Sequence, residues 1–260
     1  DKLQTITNSS NIMMMFKNQK ISALILDEID GCTSNDKGAV SQVINSFVDD
    51  YFNLRIESDE NDPSGSILSA NKLEQAIQSE IDRFKPDAID KLRQAIPTKK
   101  SLENSYKNLY EMSGAVKLSF ANSVTRTLST TMGLLWERLA SISPHSINPE
   151  REFGLKLVGI DLISKNIHTS IVEYQQLKTK KDTLTGSQKP RSVKELEIHS
   201  NPVFCVSFDN KGTWTFNDEK IPRVSGAEFW GRIGIPYGVV LEKTKILISD
   251  LEDEYVRSLS

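Results

Sequence analysis

The sequence predicts a mixed α/β protein, and two contrasting textures along the chain carry that prediction. Through about the first 140 residues, apolar side chains recur every three or four positions, the period of helices that bury one face. From Phe153 onward the apolar residues come in short β-branched runs, with helical segments between and after them. Helices followed by strands interleaved with helices fit an α/β or α+β domain built around a sheet. At 260 residues the chain is long enough for one sizeable core. The expected division is a helical N-terminal region over 1–100 and a catalytic-type core over 101–260.

The elements follow in order. Residues 40–54 carry Val40, Val43, Ile44, Phe47 and Tyr51 at helical spacing, and the turn-rich stretch SDENDPSGS follows. Ser69 is placed to cap a helix through Leu73, Ile77, Ile81 and Phe84, which Pro86 is expected to break. Residues 88–96 form another helical piece that ends at Pro97. The longest helical region is 101–143, with a stripe of Val124, Leu128, Met132, Leu135, Leu139 and Ile142, and Pro144 stops it. Strands are predicted over 155–163, 167–177, 203–208 and 213–216. Short helices are predicted over 192–198 and 246–259.

Composition excludes several classes of function. A net charge of -3 signals no global affinity for a polyanion, so only local clustering bears on nucleic acid. The 2 cysteines, Cys32 and Cys205, lie far apart, and the 3 histidines (His145, His168, His199) share no ligand spacing, which argues against disulfides and zinc. No apolar window is long enough to span a membrane. The Met-rich patch at 13–16 lacks the flanks of a signal peptide. A cytoplasmic, reducing location is the expectation. The stretch SALILDEIDG, with Asp27, Glu28 and Asp30, looks like the acidic strand end of an ATPase, but no phosphate-binding G-x-x-x-x-G-K-[ST] accompanies it.

One region carries a chemistry. Asp161 sits near the end of the apolar run 155–163. In the next strand, side-chain alternation puts His168, Ser170, Val172, Tyr174, Gln176 and Lys178 on one side. Hard cations such as Mg²⁺ take oxygen ligands, typically one or two carboxylates completed by phosphate and water. Asp161 offers a carboxylate, Gln176 a neutral carbonyl oxygen, and Lys178 a positive charge able to steady a phosphate in its transition state. A tight turn at 164–166 would set Asp161 opposite roughly position 169, so for Asp161 to stand beside Gln176 the loop must be wider or the strands must twist and diverge.

Behind this pair the chain is basic. Lys178, Lys180, Lys181, Lys189, Arg191 and Lys194 are interrupted by one acid, Asp182. A basic run is by default a solvated loop. This one also carries Thr183, Thr185, Ser187 and Gln188, residue types that bond to phosphates and bases. Lys180, Lys181, Thr183, Thr185, Ser187, Gln188, Lys189 and Arg191 are therefore the expected nucleic-acid contacts, on a loop over 179–194.

The pieces Gly159-Ile160-Asp161 and Gln176-Leu177-Lys178 resemble the active site of the PD-(D/E)xK nuclease superfamily, which includes most type II restriction endonucleases. In that family an Asp ends one strand and an acid-x-Lys lies on the neighbouring antiparallel strand. Here Gly-Ile replaces the usual Pro before the Asp, and Gln176 replaces the second acid. QLKTKKDTLTGSQ and SGAEFWGRIG also look like segments of such enzymes, so the resemblance covers about residues 130–235. It implies a restriction-endonuclease-like central mixed sheet flanked by helices, and Mg²⁺ as cofactor. It also implies double-stranded DNA as substrate, a homodimer and a bacterial cell. Asp161 and Gln176 would hold the metal and Lys178 would assist catalysis. A further metal-orienting acid would come from a preceding helix, with Glu137 in GLLWERLA as first choice and Glu150 and Glu152 as alternatives. Two other functions stay open: a DNA-binding protein with a degenerate site on the same scaffold, and a repair or junction nuclease of the superfamily. Phe229-Trp230 could stack on bases, although aromatic pairs at a helix start are more often core.

Overall fold

The computed structural model describes residues 41–42, 44–94, 109–154 and 156–259. The expected features at 13–16 and 22–31, residues Cys32, Val40 and Val43, and the stretch 95–108 lie outside them. The chain order is α1 (Val48–Glu60), α2 (Ala70–Gln94), α3 (Leu109–Met112), α4 (Val116–Ala140), β1 (Ser146–Ile147), α5 (Pro149–Phe153), β2 (Leu162–Lys165) and β3 (Val172–Lys178). It continues with α6 (Gln188–Leu196), β4 (Pro202–Val206), β5 (Arg223–Ser225), α7 (Ala227–Arg232) and α8 (Tyr237–Leu259).

The strands form one mixed sheet in the order β1-β2-β3-β4-β5. The first three run as an antiparallel meander; α6 then returns the chain so that β4 lies parallel to β3, and β5 parallel to β4. Alternation along β4 sorts the two faces: Phe204 and Val206 enter one cluster, Val203 and Cys205 the other. The first cluster buries Val48, Tyr51 and Phe52 of α1 and Leu196 of α6 against Ile163, Tyr174 and Phe204. The second packs α2, α4, α7 and α8 on Leu162, Leu177 and Val224. The result is helix, sheet, helix in three layers, with no helix among the described residues long and apolar enough to cross a membrane.

Several expected elements shift, each for a physical reason. Pro86 does not break α2, which runs through it. Phe84, Ala88 and Leu92 on either side are all buried, and this packing outweighs the lost hydrogen bond. The long helix expected from 101 is interrupted before α4 by a turn in which Gly114 has φ 74°. The strand expected over 155–163 is confined to Leu162–Lys165. Before it the chain turns at Gly159, with φ 79°, where a Cβ would lie 2.5 Å from Cβ of Glu195. Leu157 and Ile160 are thus buried without belonging to the sheet. β3 starts at Val172 rather than 167, leaving a loop over 166–171 that supplies the wide connection the site requires. Residues 213–216 are not a strand: Phe216 is buried by stacking on Phe204, with ring centroids 4.1 Å apart. Helix α6 begins at Gln188, because Pro190 falls in the first turn, where a missing N–H costs nothing. Helix α8 is longer than the expected 246–259.

The described part of the N-terminal region does not stand apart from the core. Phe52 is 0% exposed within the cluster that includes Tyr174 and Phe204. Phe52→Ala is expected to cost about 3–5 kcal/mol in a single cooperative transition on chemical denaturation. A separate early transition, leaving the main one unmoved, would show instead that α1 folds as an independent unit.

Candidate active site

The site forms where β2 begins and β3 ends, beneath α4. Leu162 pairs with Gln175, and Asp161 immediately precedes that last registered pair. The N–H of Asp161 donates to the carbonyl of the same Gln175 at 2.9 Å, which ties the residue to β3 just outside the regular ladder. Asp161 precedes β2 rather than ending a strand, which corrects its expected place without removing it from its partners. Its Oδ2 accepts from the N–H of Leu177 at 2.8 Å and lies 3.6 Å from Nζ of Lys178. A carboxylate and an amine are therefore brought together across the two strands.

Helix α4 supplies the second acid. Glu137 lies roughly opposite the Leu135 and Leu139 stripe, where a solvated helix face is the default. It instead turns into the cleft, half-buried, and its Oε2 accepts from Nδ2 of Asn148 at 2.9 Å. Asn148 is fixed in turn: its Oδ1 caps α5 by accepting from the N–H of Arg151, with Pro149 at the first helical position. Glu150 borders the same cleft. Glu152 does not serve the site, because Tyr51 donates to it and Arg55 pairs with it at 3.2 Å.

A cavity of about 350 Å³ lies beside these groups. Ser129, Thr130, Gly133 and Glu137 of α4 form one wall, and Asp161, Lys178, Lys180 and Thr183 line the other side. A Cβ at Gly133 would meet nothing within 4 Å, so that wall is open space. Gln176 borders neither this cavity nor the adjoining one. It is 5% exposed, and its Oε1 has no hydrogen-bond partner.

The expected nucleic-acid contacts divide. Lys180 and Thr183 line the cleft. Lys181 is drawn aside to Asp209 at 2.6 Å and lies over the Trp214 ring. Thr185 and Gln188 bond to each other, the N–H of Thr185 donating to Oε1 of Gln188 at 3.0 Å. Gln188, Lys189 and Arg191 sit on α6, not on a loop, and Ser187 immediately precedes it. Arg191 donates to Glu195 at 2.8 Å while its side chain stays 77% exposed. His168 lies on the loop at the far end of β3, away from Lys178. Phe229 and Trp230 are core, with Nε1 of Trp230 donating to the carbonyl of Ser207, and offer no stacking surface. Sequence reasoning missed Glu195, whose charge reaches Asp161. It also missed Asn148, although an Asn-Pro pair before a short helix signals a cap.

The electrostatics are those of two acids drawn out of water in one cleft. Burial pushes the Asp161 carboxyl up, against the lowering effects of Lys178 and the Leu177 N–H. Burial, and then the charge of Asp161, push Glu137 up to about 7. A doubly charged cation would relieve both effects, and the oxygen donors here suit a hard one. Among the described residues no three His, Cys, Asp or Glu side chains form a ready metal cage. Mg²⁺ does not need one, since it usually takes one or two carboxylates and completes its shell with phosphate and water. No protein-family model matches the chain, and no curated protein is similar to it.

Because Glu137 holds its proton more tightly when folded, at about 7 against an ordinary 4.5, its ionisation destabilises the fold. The penalty is absent below about 4.5, grows as pH rises and is complete above about 7. Glu137→Gln is expected to gain on the order of 1–3 kcal/mol at pH 8 and nothing at pH 4, as read by denaturation at both values.

Proposed function

We propose that this protein is a Mg²⁺-dependent endonuclease of double-stranded DNA, of the PD-(D/E)xK type found in restriction enzymes. The observation that carries the proposal is the 3.6 Å approach of Lys178 to Asp161 in a cleft shared with Glu137. The mixed sheet, with Asp161 just before β2 and the Gln-x-Lys on the neighbouring antiparallel β3, supports the same family. Asp161 and Glu137 would hold the metal. When bound, Mg²⁺ supplies charge stabilisation for a phosphodiester and a more acidic water. Lys178 neutralises charge building on the phosphate and orients the attacking water. Thr183 and Lys180, together with Ser129 and Thr130 across the cleft, face phosphate oxygens. Gln176 keeps its place on the face of Lys178 without entering the cleft. A homodimer would place two such sites on a two-fold symmetric DNA sequence in a bacterial cytoplasm.

The second reading is a DNA-binding protein without nuclease activity. The observation favouring it is Gln176, a neutral residue in the acid position that borders neither cavity. A repair or junction nuclease of the same superfamily differs in its product pattern.

Closed circular plasmid DNA incubated with the protein and Mg²⁺ separates these functions. Cutting into discrete fragments is expected, with Asp161→Ala and Lys178→Ala each reducing the rate by about a hundredfold or more. Binding without cutting would establish the second function, and structure-dependent or diffuse cutting the third. Gly133→Leu is expected to fold normally, since the site is open, and to lose cutting by filling the cleft. Because the metal must displace a proton from Glu137, the Mg²⁺ concentration for half-maximal cutting is expected to rise as pH falls from 8 to 6. An unchanged requirement over that range would remove Glu137 from the metal site.

A further inference from the structure

The cleft does not end at the two acids. The cavity of about 350 Å³ beside Lys178 shares Leu134, Glu137 and Asp161 with a second, of about 460 Å³. That second cavity shares Val158, Arg191 and Glu195 with a third, of about 760 Å³, against α6. Common walls join the three into one groove, and the Glu137–Asp161 pair lies partway along it.

Charge is distributed along this groove in a definite order. Lys178 and Lys180 lie at one end. Acids gather in the middle, where Glu150 and Glu195 join Glu137 and Asp161. Lys156 lines that middle cavity with them, and Lys194 lines the last one. Both lysines are exposed, and neither makes an ion pair among the described residues. Arg191, the other cation there, is already paired with Glu195. A pocket for a small phosphate compound would gather its cations at one point. Cations at both ends of an acidic centre fit a polyanion whose phosphates run past that centre, with a cation bridging phosphate and carboxylates in the middle.

Resting on the nuclease proposal above, we infer that one DNA strand lies through the groove on both sides of the bond to be cut. Lys156 and Lys194 form the phosphate subsite on the side away from Lys180. This subsite lies outside the basic loop after β3 and is carried by the Gly159 turn and the outer face of α6. An enzyme built this way cuts within a strand and needs at least one phosphate beyond the scissile bond in each direction.

The test compares wild type with the double variant Lys156→Gln/Lys194→Gln in steady-state cleavage of a duplex carrying the cut site, from 50 to 200 mM salt. A charge-matched control, Lys72→Gln/Lys91→Gln on α2, lines none of the three cavities. The groove variant is expected to raise KM about tenfold and leave kcat within about twofold. It should also flatten the dependence of log(kcat/KM) on log[salt] by about 1.4–1.8, the contribution of two phosphate contacts. The control should change none of these. If wild type cuts DNA and the groove variant matches it in KM and salt slope, the subsite is overturned while the nuclease function stands. If wild type cuts no DNA under any condition, both fall together.

Discussion

The antiparallel pairing of Leu162 with Gln175 decides where Asp161 and Lys178 meet. Side chains alternate with period two, so a slip of one residue would move Gln176 and Lys178 to the opposite face of the sheet. The packing forbids that slip. Ile163 and Tyr174 are committed to the cluster under α1, while Leu162 and Leu177 are committed to the cluster under α4. The N–H of Asp161 also bonds to the carbonyl of Gln175, and its carboxylate takes the N–H of Leu177. The acid is thus fixed by backbone donors and leaves Lys178 at 3.6 Å. The turn before it depends on Gly159, where any Cβ would collide with Glu195.

The neighbouring helices set the chemistry of that fixed acid. Helix α4 brings Glu137 down beside Asp161, and α5 exists largely as a capped turn that aims Asn148 at Glu137. Burial raises the proton affinity of both carboxylates, the charge of Asp161 adds to it at Glu137, and one lysine only partly offsets these effects. The fold thereby retains an electrostatic tension that costs stability near neutral pH. Such tension is characteristic of sites that bind a cation or move a proton.

Much of this was legible in the chain because its signals are local. Alternation placed Gln176 and Lys178 on one face, and the apolar stripe of α4 identified Leu135 and Leu139 as core. Asp161 was found through its acid type at the edge of an apolar run, although that run is mostly a buried turn and not a strand. The remainder depends on contacts distant in sequence. Glu195 reaches Asp161 only because α6 folds back over Gly159, and Glu137 faces the cleft because α4 packs on β3 over Leu177. Pro86 reads as a break and is overruled by burial on both sides of it. Trp214 and Phe216 alternate like a strand, yet Phe216 is held by stacking on Phe204 rather than by a ladder.

Gln176 has a consequence for how the site assembles. Its carbonyl oxygen is buried without a partner, and it adds no negative charge near Asp161. A nuclease with two acids instead of three attracts a cation less strongly on its own. On the nuclease proposal, the missing charge and ligand come from the phosphate of the DNA. Cation and DNA each raise the other's affinity by the same factor. In such an enzyme the metal site is a property of the complex, and cofactor binding itself becomes a checkpoint for the presence of substrate.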